Sequence, residues 1–306
     1  MNVKQGVTAW TIGQYAVFAG MRNNQRRLGA FTRGYREAML REVKQLHTLT
    51  AFFVLALGFA ASAQTSLGVD SSTPGTSVGS APAAEPSSTT KADNTRYLSN
   101  PDLLTECASR VSAFSDKPCD IIFIGDTLTA QWAGAGKAIW DKAYAPRNAL
   151  DFGVSGDKTQ NVLWRLNNMD VQSLKPKVAV IMVGTENTDN SAHEIADGIK
   201  EVLTNTEGTF PGVKIILVSL PPNDRDNDKT MQVNSLIKGH ADDESVYFLN
   251  LASLMPSETT ALPNGTSQTS WKGLAQDQLH LDASGYQIWA DAMEPLLAKL
   301  LTAAGQ

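Results

Sequence analysis

The chain has 306 residues, 42% of them hydrophobic and 19% charged, and a formal net charge of −5. This is a globular composition with room for one large domain or two small ones. The average conceals an asymmetry, because residues 1–63 carry eight Lys/Arg against two Asp/Glu and the remainder carries 18 against 29. A body with a net charge of −11 repels phosphate backbones and anionic lipid, which argues against a nucleic-acid partner.

The basic front end reads as an export lead. Leu49 to Ala63 is LTAFFVLALGFAASA, preceded by Arg41, Lys44 and His47 and closed by Ala61, Ser62 and Ala63. A basic stretch, a short apolar stretch and a small-x-small ending are the parts of a secretory signal peptide, so residues 39–63 predict cleavage near Ala63 and a secreted or periplasmic product. A membrane anchor needs roughly 20 apolar residues to span a bilayer. This stretch has fifteen mostly apolar or small residues, so no stable membrane anchor is expected. A signal complete from Met39 leaves residues 1–38 as an over-called start or a long basic lead. Residues 64–95 are rich in Ser, Thr, Pro and Ala with hardly any large apolar side chain. They cannot bury enough surface to offset their chain entropy and are expected to form a disordered linker. Residues 96–306 then form one α/β domain.

Within that domain the cysteines come first. Cys107 and Cys119 are the only two. In an oxidising compartment they predict a disulfide tying the first helix to the entry of the first strand, with two reduced buried thiols as the alternative. Neither reading makes them catalytic, since no His neighbours them and no CxxC metal spacing is present.

Four short apolar runs predict buried strands at Ile121–Ile124, Val178–Val183, Ile215–Leu220 and Val246–Leu251, with a weaker one at Ala149–Val154. Between them, Ser191 followed by Glu194 forms a capping box ahead of an apolar face of Ile195, Ile199, Val202 and Leu203. A last helix places Tyr286, Trp289, Ala290, Met293, Leu297 and Leu300 on one side. Apolar strands alternating with amphipathic helices indicate a parallel sheet covered on both faces, with ligands bound beyond the carboxyl ends of the strands.

Polar or Gly-rich clusters stand at those ends: Gly125-Asp126-Thr127, Gly153 to Asp157, and Gly184-Thr185-Glu186-Asn187. A fourth cluster, Asp277-Gln278-Leu279-His280, precedes the last helix. In order and spacing, DIIFIGDTLTAQW (Asp120–Trp132), DFGVSGDKTQNVLWRL (Asp151–Leu166), VAVIMVGTENT (Val178–Thr188) and DQLHLDASGYQIWADAMEPLL (Asp277–Leu297) resemble the four signature blocks of the SGNH, or GDSL, hydrolases. The resemblance is to the branch that holds the catalytic subunits of platelet-activating-factor acetylhydrolase and secreted bacterial relatives. It implies a flavodoxin-like three-layer α/β/α sandwich on a five-stranded parallel sheet. It also implies hydrolysis of carboxylic esters, often acetyl esters on lipids or carbohydrates, without a cofactor.

Carried over residue by residue, the resemblance makes Thr127 the nucleophile position, Asp277 the orienting acid and His280 the general base. Thr127, Gly156 and Glu186 then form the oxyanion hole, and Asp126 and Asp151 support the site. Three positions depart from the family pattern, which has Ser at Thr127 and Asn at Glu186 and Asp151. Thr127 keeps a hydroxyl that a base can activate, but its methyl restricts χ1 and crowds the tetrahedral carbon.

Glu186 is the larger change. Losing one oxyanion donor costs about 10² to 10³ in rate, and an ionised carboxylate adds repulsion on the order of 4 kcal/mol for unit charges 4 Å apart at an effective dielectric of 20. Two escapes are open: burial holds Glu186 protonated so that it donates, or Asn187 turns its amide into the hole. Ser155 is a weaker candidate nucleophile, since its Gly-rich turn has a packing role in the family pattern. A hard-cation set of Asp126, Asp151, Glu186 and His280 is the least favoured reading, because these groups suit loop amides better, and no metal is expected. The expectation is a secreted ester hydrolase with an atypical Thr nucleophile. The alternative is a pseudoenzyme that binds an acylated glycan or lipid without cleaving it.

Overall fold

The computed structural model describes residues 88–261 and 265–303. The chain divides into two units, Met1–Ser80 and Ala81–Gln306. The basic lead, the signal segment and most of the expected linker lie outside the described residues.

Five parallel strands make the main sheet: β1 (Ile121–Gly125), β2 (Ala149–Gly153), β3 (Val178–Met182), β4 (Lys214–Val218) and β5 (Val246–Leu249), in the order β2-β1-β3-β4-β5. All five coincide with the apolar runs, because β1, β2 and β3 are buried along their whole length and cannot show a polar face. Eight α-helices lie among the described residues: α1 (Thr95–Ser99), α2 (Pro101–Ser112), α3 (Thr127–Ala130), α4 (Lys137–Ala143), α5 (Thr159–Asn168), α6 (Ala192–Thr209), α7 (Asn227–Lys238) and α8 (Ala283–Ala303). Helices α5, α6 and α7 pack side by side, and α8 packs on α4 and β3. The architecture is the flavodoxin-like three-layer sandwich that the resemblance implies.

The capping box forms as read. The Ser191 hydroxyl accepts from the Glu194 amide, while the Glu194 carboxylate accepts from the Ser191 amide at 2.8 Å. The apolar faces of α6 and α8 are buried at every position named from the sequence.

Two differences concern segments that lack apolar periodicity. Residues 88–95, expected in the linker, pack against the domain. Thr89 is buried and donates to the Glu194 carbonyl at 2.7 Å, while Thr159 and Asn161 donate to the carbonyls of Thr89 and Asp93. Hydrogen bonds, not apolar area, hold this segment, so composition could not reveal it. An antiparallel hairpin, β6 (Ser257–Ala261) with β7 (Ser267–Trp271), was also not anticipated, because its Ser/Thr-rich strands are mostly exposed.

The expected disulfide is corrected: Cys107 and Cys119 are both free and buried. Each thiol has its own neighbour. The Arg165 guanidinium donates to the Cys107 sulfur at 3.8 Å, and the Cys119 thiol donates to the Ile121 carbonyl at 3.4 Å. Burial pushes the Cys119 thiol up to about 12, so it stays protonated and unreactive at neutral pH.

Register brings the functional strand ends together. Gly125 of β1 pairs with Gly153 of β2 on one side and with Met182 of β3 on the other, so the segments after these residues emerge level. A β-carbon at Gly125 would overlap the Met182 carbonyl and the Thr129 hydroxyl, which restricts the position to glycine. The order reverses direction between β1 and β3, the switch point where such sheets hold ligands.

These ends are tied by Arg165, a fully buried arginine of α5. Its guanidinium donates to the Phe152 carbonyl at 2.6 Å, the Gly125 carbonyl at 3.1 Å, Asp157 at 2.8 Å and the Tyr97 hydroxyl at 3.1 Å, and it stacks over the Phe152 ring. The Tyr97 hydroxyl donates to Asp157 at 2.6 Å. A second buried acid, Asp151 in β2, accepts from the Gly153 amide at 2.8 Å and faces Arg110 of α2 at 3.3 Å. Burial pushes its carboxyl up to about 6, against the opposing pull of Arg110.

Two stability predictions follow from these buried charges. Removing one partner of a buried pair strands the other, so Arg165→Met should lower the unfolding free energy by about 3–5 kcal/mol. Urea unfolding followed by tryptophan fluorescence tests this, and a loss below about 1 kcal/mol would refute the tie. Asp151 binds its proton more tightly folded than unfolded. Its stabilising contribution is therefore complete below the unfolded carboxyl value of about 4 and is lost as pH rises through the folded value. Asp151→Asn should accordingly flatten the fall of stability across that window and raise stability at pH 8 by about 1–3 kcal/mol. A variant no more stable than the parent at pH 8 would show that the buried carboxylate carries no such cost.

Candidate active site

Strand β1 ends in Gly125, and the chain turns at once into the short helix α3, with Asp126 as its N-cap and Thr127 as its first residue. Asp126 is fully buried and accepts four hydrogen bonds: from the Leu128 amide, the Gly184 amide, the Thr185 amide and the Thr185 hydroxyl, all within 3.1 Å. It therefore fastens the end of β1 to the loop after β3. Burial raises its carboxyl to about 6, and the nearby Glu186 charge pushes the same way, while the donated hydrogen bonds oppose both. From the other side, Tyr286 of α8 donates to the Leu128 carbonyl at 2.5 Å. Tyr286 packs edge-on against Trp132 at 4.6 Å between ring centroids, so the turn stands on an aromatic base.

Thr127 is almost covered, and both hydrogen bonds of its hydroxyl go to predicted site residues. The hydroxyl donates to Glu186 Oε1 at 2.5 Å and accepts from the Gly156 amide at 2.7 Å. Gly156 adopts φ +78°, where an L side chain is strained, and a β-carbon there would also meet the Arg96 guanidinium. Arg96 donates to the Ser155 carbonyl and lies 3.7 Å from Asp157, so it covers the outside of the loop that presents the Gly156 amide. That loop uses Ser155 through its carbonyl, in keeping with a backbone role.

Asp277 and His280 form the expected pair on a partly exposed loop. His280 Nδ1 and Asp277 Oδ2 are 2.6 Å apart, and the other Asp277 oxygen accepts the Leu279 and His280 amides at 3.0 Å each. These contacts, led by the His280 side chain, hold the Asp277 carboxyl down at about 2. The loop is pinned through Gln278, whose side chain accepts from the Trp271 amide and whose carbonyl accepts from the Asp224 amide. His280 shares a cleft of about 280 Å³ with Thr127 and Glu186, yet among the described residues no hydrogen bond joins His280 to Thr127. Ile195, Leu220 and Val233 give the cleft apolar wall, and Asn223, Arg225 and Lys229 a polar rim.

Asn187 and Asp151 take other places than their candidate roles gave them. Asn187 is buried with its amide turned to α5. Its oxygen accepts from the Thr159 amide at 3.0 Å, and its nitrogen donates to Gln160 and Asn190, so it supports the loop and does not reach Thr127. Asp151 sits within β2 beside Arg110 and lines a separate groove with Trp140 and Phe114. The cation set does not assemble, because Asp126 is committed to amides, Asp151 to Arg110 and His280 to Asp277. Among the described residues no group of three or more His, Cys, Asp or Glu is placed to hold a metal ion. Sequence reasoning missed Arg96, Tyr97 and Arg165. The available signal was Arg165 itself, a charge among Val162, Leu163 and Leu166 on a helix buried on nearly all sides.

The GDSL-like lipase/acylhydrolase family matches residues 123–288, more than half of the chain and all four site segments. Platelet-activating factor acetylhydrolase IB subunit alpha2 of Rattus norvegicus is 32% identical over 193 residues, 61% of this chain and 79% of the relative. The corresponding alpha1 subunit of Bos taurus is 30% identical over 198 residues, 63% of this chain and 81% of the relative. Among solved structures, an acetylxylan esterase from Geobacillus stearothermophilus superposes with a TM-score of 0.44 at 17% identity, covering 58% of this chain and 93% of that one. The strand-end residues thus lie within a continuous family match, and the chain belongs to the GDSL-like lipase/acylhydrolase family, the SGNH hydrolases.

Proposed function

We propose that the protein hydrolyses short acyl esters, acetyl esters foremost, carried on a carbohydrate or lipid, with Thr127 as nucleophile. The observation that carries this reading is the Thr127 hydroxyl, held 2.7 Å from the Gly156 amide in a cleft that is also lined by His280, the residue Asp277 orients. Membership in an acylhydrolase family supports the reaction class, and the acetylhydrolase names of the relatives support a short acyl group. A cleft near the small end of the usual ligand-pocket range also favours a short acyl chain, with Ile195, Leu220 and Val233 against it and the polar rim toward the alcohol.

In this reading Thr127 Oγ1 attacks the acyl carbon, the Gly156 amide turns from the hydroxyl to the developing oxyanion, and an acyl-threonine forms. His280, oriented by Asp277, draws the proton from the water that hydrolyses it. The export-type lead read from the sequence supports a site of action outside the cytoplasm, after cleavage near Ala63.

The second reading keeps the pocket and drops the reaction. It is favoured by one observation: the Thr127 hydroxyl already donates to a carboxylate while His280 stands apart from it. In that case the protein binds an acylated glycan or lipid through the cleft.

Turnover of 4-nitrophenyl acetate and of an acetylated xyloside decides between them. Hydrolysis should be measurable and should fall to the buffer rate in Thr127→Ala. The threonine methyl crowds a tight site at a cost of about 1–3 kcal/mol. Thr127→Ser should therefore raise kcat about tenfold or more. Binding of the acetylated xyloside that survives Thr127→Ala, with no hydrolysis by the parent at any pH, would establish the second reading.

A further inference from the structure

The geometry points to Glu186, and not His280, as the base that takes the Thr127 proton during acylation, an assignment that rests on the ester-hydrolase reading above. The contact is direct. Glu186 Oε1 accepts from the Thr127 hydroxyl at 2.5 Å, and Thr127 Oγ1 in turn accepts from the Gly156 amide at 2.7 Å, which leaves its remaining lone pair for attack. His280 has its Nδ1 on Asp277 and makes no hydrogen bond to Thr127 among the described residues. A general base must lie within hydrogen-bond reach of the proton it removes, and among the described residues the carboxylate that accepts this proton's hydrogen bond is Glu186.

This assignment also removes the electrostatic objection to a carboxylate in the hole. As Thr127 Oγ1 bonds to the acyl carbon, its proton passes to Glu186 Oε1 and the carbonyl π pair moves onto the carbonyl oxygen. Glu186 is then a neutral carboxylic acid at the moment the oxyanion exists. Its new O–H donates to that oxyanion beside the Gly156 amide, the role an amide side chain fills elsewhere in the family. When the tetrahedral species collapses, the bond to the alcohol oxygen breaks and its electron pair leaves with the alcohol. The alcohol takes the proton from Glu186, which returns to carboxylate. In the second half, water attacks the acyl-threonine and its proton goes to His280 Nε2; as the acyl bond breaks, His280 returns that proton to Thr127 Oγ1 through a second water in the open cleft. Base duty is divided: Glu186 serves acylation and His280 serves deacylation.

The division separates two variants that a single shared base would make alike. With full-length protein and 4-nitrophenyl acetate in stopped flow, His280→Ala should release about one equivalent of nitrophenolate in a burst, at a rate within about tenfold of the parent. It should then stall as an acetyl-enzyme visible by intact mass. Glu186→Gln, close in shape but unable to accept the proton, should lose the burst rate by about 10² to 10⁴-fold. A burst in Glu186→Gln as fast as the parent's overturns the assignment. So does a His280→Ala protein that neither bursts nor accumulates acetyl-enzyme, even if Glu186→Gln fails to fold. In both cases a parent that turns over keeps the ester-hydrolase reading intact. A parent with neither burst nor turnover sinks that reading and the inference together.

Discussion

The site depends on one buried guanidinium. The carbonyls of Gly125 and Phe152 lie at or near the ends of neighbouring strands, where the ladder runs out and polar groups need new partners. Arg165 supplies donors to both and to Asp157, using a planar fork that a lysine ammonium could not replace. Asp157 follows Gly156 directly, so the ion pair that pins the strand ends also sets the loop that presents the Gly156 amide to Thr127. Tyr97 and Arg96, from the first α-helix of the described residues, close the same network on Asp157. Burying this charge is costly, and it is tolerated because nearly every donor has a partner and because two strands and a loop are aligned in return.

A second acid performs the matching task on the other side of β1. Asp126 accepts four hydrogen bonds from α3 and from the loop that carries Glu186, so the distance between Thr127 and Glu186 is set by backbone and not by two free side chains. That rigidity explains how a threonine and a glutamate at the ends of different strands meet at 2.5 Å. It has an electrostatic cost, since burial, with a smaller push from Glu186, raises the Asp126 carboxyl to about 6 against the hydrogen bonds that hold it.

Much of this was legible in the sequence. The five strands announce themselves as apolar runs because a parallel sheet covered on both faces leaves no polar alternation to blur them, and Ser191 with Glu194 marks a helix start by local chemistry alone. Thr127, Gly156, Glu186, Asp277 and His280 stand at strand ends or ahead of the last helix, where the topology lines one cleft with Thr127, Glu186 and His280 and sets Gly156 against Thr127 and Asp277 against His280. What escaped detection is held by long-range hydrogen bonding. Thr89 and Asp93 are anchored by polar contacts to α5 and α6, and a Ser/Thr-rich composition reads as linker however well those contacts fit. Arg165 and Tyr97 lie 68 residues apart, and nothing local to either says that they share a carboxylate. The disulfide expectation failed for a related reason: spacing and compartment constrain whether two thiols can pair, but not which neighbour each thiol finds.

The departures at Thr127 and Glu186 read differently once their contact is known. Taken singly, each weakens the family site: a methyl narrows χ1, and a carboxylate replaces a donor. Taken together they are complementary. A glutamate is one methylene longer than an asparagine and reaches the hydroxyl itself, while the restricted χ1 of threonine keeps that hydroxyl on Glu186 and on the Gly156 amide with less rotamer freedom to lose. A serine opposite the same glutamate would gain room at the acyl carbon while sampling other rotamers, and a threonine opposite an asparagine would lose the carboxylate that takes its proton. Residues in direct contact do not contribute additively, so the two substitutions are one change to the site, and the energetic meaning of either is defined only in the presence of the other.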